Sequence, residues 1–239
     1  MYKLLPQLKN YDIHESISNI TAEFLFEAVF AGDKFQSIEA AYGRVDGVIR
    51  TATGYCGGTL KRPTFKEVCE GKTDLTEAVK VIYDNRKVSY QSLCDLFWET
   101  HDPTKKEFLN LGIDTQQRSV IFYCTELERK QAQRSKIRKQ MKLNQRIVTK
   151  IIPLVSEFVM AEKQYQKFFL QKHCRLCECL GLRSTQQFVE SDVACKLNGI
   201  LTMEGEMVIE ELSTFLNTHN LSKQTKLACQ DLIEELRRN

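Results

Sequence analysis

Two groups of side chains in this chain have the types and spacing for chemistry, and a third has the charge for binding. The first group is the thiols. Nine cysteines stand at positions 56, 69, 94, 124, 174, 177, 179, 195 and 229. A thiol is a nucleophile only where its surroundings favour the thiolate. Several of these lie in apolar runs, such as Cys94 between Leu93 and Phe97, and read as reduced, buried side chains of a reducing compartment. The second group is His173-Cys174 with Cys177 and Cys179, a donor set for zinc or copper. A structural zinc site draws on a second paired half, and only Cys195 follows nearby. A helix also turns Cys177 and Cys179 to different faces. No metal and no other cofactor is expected. The third is the stretch 129–150, which holds nine Lys or Arg and no acid. It reads as a solvated helix face or as a surface for an acidic protein partner. Aromatics do not interleave the charges, so nucleic acid is not an expected partner.

The elements that carry these residues follow from periodicity. Phe24 to Phe30 reads as a buried strand and Lys34 to Val45 as a helix, with Phe35, Ile38, Ala41 and Tyr42 at helical spacing. Val48 to Tyr55 reads as a second strand closed by Cys56-Gly57-Gly58, a permissive turn. Glu77 to Tyr83 is a strand ending at Asp84-Asn85, and Ser89 to Thr100 a helix that the serine can cap. Ser119 to Cys124 and Arg146 to Ile152 are strands, the latter stopped at Pro153, and Thr125 to Leu143 is a long basic helix. Ala161 to Leu182 and Val189 to the end read as mainly helical. The fold class is therefore α/β, a mixed sheet with flanking helices and a helical C-terminal extension. The expected divisions are an N-terminal extension 1–23, a core 24–172, and helices 173–239 packed on that core.

With 239 residues, 42% hydrophobic, 27% charged and a net charge of +3, the whole molecule has no strong electrostatic partner. The first residues lack a secretory signal and no run is long enough to span a bilayer. The expectation is a cytoplasmic protein, with nucleus and mitochondrion as alternatives, and no membrane partner.

Three stretches resemble the A-type peptide methionine sulfoxide reductases. The first is Ala28-Val29-Phe30-Ala31-Gly32-Asp33-Lys34-Phe35-Gln36-Ser37-Ile38-Glu39, followed by Gly54-Tyr55-Cys56-Gly57-Gly58. The second is Arg62-Pro63-Thr64-Phe65-Lys66-Glu67-Val68-Cys69, then Thr76-Glu77-Ala78-Val79. The third is Phe97-Trp98-Glu99-Thr100-His101-Asp102-Pro103-Thr104, then Thr115-Gln116-Gln117-Arg118-Ser119. The resemblance covers about Phe24 to Leu170, and implies an α/β plait with a strand-to-helix turn at the active site.

The resemblance also implies a reaction. A thiolate at a helix N-terminus attacks the sulfoxide sulfur and becomes a sulfenic acid, which a second thiol reduces. Here the nucleophile's position is Lys34. An ammonium is not a nucleophile, and no cysteine precedes Cys56. Of the aromatic pair that brackets the substrate methyl, Phe35 is kept and the tryptophan is Gln36. A tyrosine that donates to the sulfoxide oxygen is Phe65, and a histidine two residues before the acid is Leu75. The acid itself, which needs a raised pKa, is Glu77. An aspartate and a second tyrosine are Gly112 and Gln117, and a tyrosine-histidine pair is Gln164-Tyr165. So many changes in one place imply a kept fold and an abandoned reaction, in a binding or regulatory protein. The alternative is an active reductase with a moved thiol. Cys56 is then the candidate, since its turn should lie near the pocket, and thioredoxin would be its reducing partner. Against it, Cys56 also reads as a small side chain tolerated in a glycine turn. Cys69 matches a cysteine that relatives carry without using it as the nucleophile.

Overall fold

The computed structural model describes residues 22–105 and 115–238. Most of the 1–23 extension, and Gly112, lie outside the described residues. Six strands form one sheet: β1 Leu25–Ala31, β2 Val48–Cys56, β3 Thr76–Asp84, β4 Val120–Tyr123, β5 Lys150–Pro153 and β6 Val159–Met160. Their spatial order is β5-β4-β1-β3-β2-β6. All pairings are antiparallel except β4 with β5, which run parallel. That parallel step needs a crossover, supplied by helix α4, Glu126–Gln140. The sheet is mixed, as expected, and is flanked by helices α1 Phe35–Gly43, α2 Phe65–Cys69 and α3 Tyr90–Phe97.

Both sheet faces are buried, but unequally. Phe30, Tyr55, Val79 and Ile121 join the larger core under α1 and α3. Val29, Cys56, Ala78 and Phe122 form a smaller cluster on the other face. The alternation of strand side chains sorts these neighbours. Ser89 caps α3 by accepting from the Ser92 amide, and Thr125 and Glu128 form a capping box on α4.

Two expected elements differ. The segment after Ala161 is not a continuous helix but two 3-10 turns, Lys163–Tyr165 and Leu170–Lys172, then the short α5, Cys174–Cys179. Tertiary bonds outbid the helical ladder there. The Gln166 side chain accepts from the Thr53 amide at 2.9 Å and donates to the Thr53 carbonyl at 2.8 Å. Lys167 has φ +48° and buries its side chain completely. The β5 strand starts at Lys150 rather than Arg146, because the Ile147 amide donates to Gln140 Oε1 and the Val148 amide to the Pro103 carbonyl. The short α2 and β6 carried no periodic signal long enough to see.

The C-terminal part adds α6 Thr185–Glu190, α7 Asp192–Ile200, α8 Glu206–Thr218 and α9 Lys223–Arg238. These bury a cluster of their own around Leu170, Leu197, Leu212 and Cys229. Helix α7 crosses α1 at two glycines. A Cβ on Gly43 would lie 2.4 Å from the Cys195 carbonyl oxygen, and one on Gly199 would lie 2.7 Å from that of Ala40. Among the described residues, no helix is long and apolar enough to cross a membrane.

Candidate active site

The strand-to-helix turn between β1 and α1 puts Lys34 at the N-cap of α1, with extended backbone and no side-chain cap bond. Asp33 takes φ +52°, and its amide donates to the Gln117 carbonyl at 2.9 Å. Gly32 behind it admits no side chain, since a Cβ would lie 2.9 Å from His101 Nε2. His101 Nε2 sits 2.7 Å from Ser119 Oγ, and burial lowers the imidazole to about 4, so it is neutral at physiological pH. The turn is thus built rigidly, and what it presents at its apex is an exposed lysine. A helix N-terminus repels a cation by up to about 1 kcal/mol. Lys34 makes no ion pair with Asp33 among the described residues.

Glu77, the expected acid, lies buried against the first amide of α1. Glu77 lies opposite Tyr55 in the β2–β3 ladder and is 1% exposed. Its Oε2 accepts from the Phe35 amide at 3.4 Å, while Oε1 has no partner at hydrogen-bond distance among the described residues. Burial raises its pKa to about 7; the Phe35 amide, the Gln117 side chain and the Lys34 charge pull the other way and do not overcome it. A carboxylic acid protonated near neutrality can donate to an oxygen.

Beside it stands an aromatic cluster. Phe35 is fully buried, with ring centroids 6.1 Å from Tyr55, 6.2 Å from Phe65 and 5.8 Å from Tyr165. Phe65 and Tyr165 stack at 4.4 Å. These rings pack on one another, so Phe35 offers no open face to a substrate methyl. Glu162 ties the group together, accepting from the Tyr55 hydroxyl at 2.7 Å and from the Phe65 amide at 2.9 Å. Gln36 is half-buried on the first turn of α1, and Leu75 is core.

The geometry therefore brings Lys34, Phe35, Gln36, Phe65, Glu77 and Gln117 around one helix terminus. It does not bring Cys56 there. Cys56 is the last residue of β2, adjacent to Tyr55, so its side chain takes the opposite face. There its Sγ lies 3.4 Å from Ser156 Oγ, and burial raises the thiol's pKa. Strand alternation thus sets the Cys56 side chain on the sheet face opposite Tyr55 and Glu77. Cys69, at the C-terminal end of α2, is exposed, yet partial burial of its thiol, followed by the charges of Glu77 and Glu162, raises its pKa. Cys177 and Cys179 pack partly into the C-terminal cluster. Among the described residues, no three His, Cys, Asp or Glu side chains are grouped to hold a metal.

Sequence reasoning missed two contributors. Glu162 became visible only through the chain's return after β6, which also lays Tyr165, already named at the tyrosine-histidine pair, on Phe65. The second is Lys167, whose Nζ donates to Glu39 Oε1 at 2.6 Å and to the Thr51 carbonyl at 2.7 Å with no exposure of either charge. Glu39 Oε2 also accepts from the Lys167 amide at 2.9 Å, and this pair fixes α1 to β2 behind the site. The one available signal was a carboxylate inside the apolar run Ile38-Glu39-Ala40-Ala41.

Comparison with known proteins places these features. The family model described as peptide methionine sulfoxide reductase matches residues 26–197. A peptide methionine sulfoxide reductase MsrA of Methanosarcina mazei is 44% identical over 152 residues, which is 63% of this chain and 72% of that protein. Peptide methionine sulfoxide reductase A1 of Arabidopsis thaliana is 40% identical over 167 residues, 70% of this chain and 80% of that one. Among solved structures, methionine sulfoxide reductase A of Corynebacterium diphtheriae aligns with TM-score 0.54 at 30% identity, covering 62% of this chain and 75% of that one. The reduced form of Mxr1 from Saccharomyces cerevisiae aligns with TM-score 0.58 at 26% identity, covering 63% and 87%.

Proposed function

Because the chain belongs to the peptide methionine sulfoxide reductase family, we propose that it is a member that no longer reduces sulfoxides and acts by binding. The observation that carries this reading is Lys34 at the N-cap of α1, the position of the family's nucleophile. Thiol-dependent reduction moves the sulfoxide oxygen onto sulfur, leaving a thioether and a sulfenic acid. An ammonium has no lone pair for the attack, and a neutral amine has no oxidation ladder to accept the oxygen. Two further observations support the reading. Phe65 has no hydroxyl to donate to that oxygen, and Phe35 is covered by its own aromatic neighbours. Glu77 remains as the one group with the ionisation suited to an oxygen-side contact.

The test is turnover of a peptide carrying methionine-S-sulfoxide, with dithiothreitol or thioredoxin as reductant. The expected rate equals that of heat-denatured protein. Turnover that survives removal of trace reductase would overturn the reading.

A second reading rests on one observation. Cys69 is an exposed thiol on α2, the helix that opens at Phe65; burial and the charges of Glu77 and Glu162 raise its pKa and disfavour the thiolate, so this reading expects turnover to rise toward alkaline pH. In an active reductase its thiolate would attack the sulfoxide sulfur and take the oxygen as a sulfenic acid. A thioredoxin dithiol would then reduce the sulfenate to thiol, releasing water and forming thioredoxin disulfide. This reading expects a sulfoxide-dependent sulfenate on Cys69 and loss of turnover in Cys69→Ser but not in Cys56→Ser. Intact turnover in Cys69→Ser removes it.

A further inference from the structure

The basic stretch 129–150 is not one uniform surface. Its inward cations are already engaged. Arg138 pairs with Asp95 and Lys139 with Glu99, both at 2.8 Å, on α3 and just beyond it. Arg129 pairs with Glu126 at 2.8 Å, and the Lys136 ammonium donates to the Thr149 carbonyl. Ser135 on the same side is buried and accepts from the Trp98 indole at 2.6 Å. Apart from the Arg129–Glu126 pair, which lies within α4, these bonds attach the helix to the rest of the domain.

The opposite side of α4 is built differently. At 100° per residue, Leu127, Lys130, Arg134, Ile137 and the C-cap Met141 fall on one stripe about 80° wide, turned away from Ala132 and Ser135. Lys130 and Arg134 make no ion pair among the described residues. Leu127, Ile137 and Met141 are 67%, 61% and 83% exposed. They are three of the four large apolar side chains among the described residues that exceed 60% exposure, so this is a concentration and not the usual scatter. A solvated helix places its polar residues outward, whereas α4 interleaves Leu127, Ile137 and Met141 with its outward cations.

We propose that this outward stripe docks an acidic amphipathic helix of a partner protein. The inference does not depend on whether Lys34 has ended turnover. The stripe is about 21 Å long at 1.5 Å per residue, enough for a partner helix of about four turns. Leu127, Ile137 and Met141 bury the partner's apolar residues at helical spacing, and Lys130 and Arg134 between them face its carboxylates. Charge decides between occupants. A second copy of the chain would set the same cations against each other, which complementary interfaces avoid. Nucleic acid has no use for three exposed aliphatic side chains and finds no aromatic there to stack on.

The experiment uses the full chain and a fluorescent helical peptide with leucines at i, i+3, i+7 and i+10 and glutamates between them. Binding is followed by anisotropy, with circular dichroism melts showing that each variant remains folded. The expected result is saturable binding that a scrambled peptide of equal composition does not reproduce. Lys130→Glu with Arg134→Glu weakens it at least tenfold, and so does Ile137→Ser with Met141→Ser. Equal binding of the scrambled peptide, or affinity unchanged within twofold in either double variant, overturns the proposal. So does displacement of the peptide by a duplex oligonucleotide at lower concentration than by unlabelled peptide. Self-association in sedimentation that Ile137→Ser with Met141→Ser abolishes would also overturn it, by assigning the stripe to a second copy.

Discussion

The protonation of Glu77 can be read from stability. Its carboxyl sits at about 7 in the folded protein against an ordinary 4.5, chiefly because burial penalises its charge. A raised folded pKa means the native state holds the proton more tightly. Its contribution is complete below 4.5 and is lost as pH rises through about 7. At about 1.36 kcal/mol per pH unit, the full loss is about 3 kcal/mol, of which about 2 kcal/mol falls between about pH 5.5 and about pH 8.5. Glu77→Gln removes the titration but keeps an oxygen for the Phe35 amide. The variant should therefore gain about 2 kcal/mol relative to the native protein on going from the lower to the higher pH. The comparison matters because His101, lowered to about 4, works in the opposite direction. Its lost stability grows as pH falls below 6.5, but it is present in both proteins and cancels in the difference. Urea unfolding of both proteins at the two pH values gives the answer. A difference between variant and native protein that is the same at both pH values would show that Glu77 ionises like a surface glutamate. The oxygen-side contact proposed for Glu77 would then lose its support.

Three other perturbations test the surrounding structure. Lys34→Cys restores a thiol at the helix terminus but leaves Phe65 without a donor. A missing oxyanion donor costs about 10²–10³ in rate, so Lys34→Cys with Phe65→Tyr should turn over faster than Lys34→Cys by that factor; equal rates would show that position 65 does not face the oxygen. Lys167→Met should cost about 3–5 kcal/mol in urea unfolding, because it leaves Glu39 buried without its cation, and Glu39→Gln with Lys167→Met should cost less than the two single changes together. Strict additivity would mean the pair is not coupled. Gly43→Ala pushes a methyl group against the Cys195 carbonyl, 2.4 Å from its ideal position, and should destabilise by about 1–3 kcal/mol. An unchanged melting temperature would show that α1 and α7 do not cross that closely.

Much of the core was legible because its signals are local. Strand and helix periods marked β1, α1, β2, β3 and α3 to within a few residues, and Ser89 announced its own helix. The family motifs located the site at the β1–α1 turn, and the lysine there needs no coordinates to be seen. What stayed hidden depends on partners far along the chain. Tyr55 and Cys56 are neighbours in an apolar run buried on both faces, so hydropathy could not say which one faces Glu77; the β2–β3 register does. The stretch after Ala161 has helical composition, yet Gln166 and Lys167 are claimed by Thr53, Thr51 and Glu39 more than a hundred residues away.

The sequence by itself determined the family, the α/β core and the lysine, Lys34, at the β1–α1 turn. These rest on residue identity and short-range order. Tertiary structure alone decided which groups are neutral, covered or free. It buried Glu77 enough to hold its proton near neutrality, and it closed Phe35 beneath Phe65 and Tyr165. It also divided the basic helix into cations spent on Asp95 and Glu99 and a stripe left facing solvent. Each of those outcomes is set by desolvation and by contacts between distant segments, and neither can be read from the order of residues along one of them.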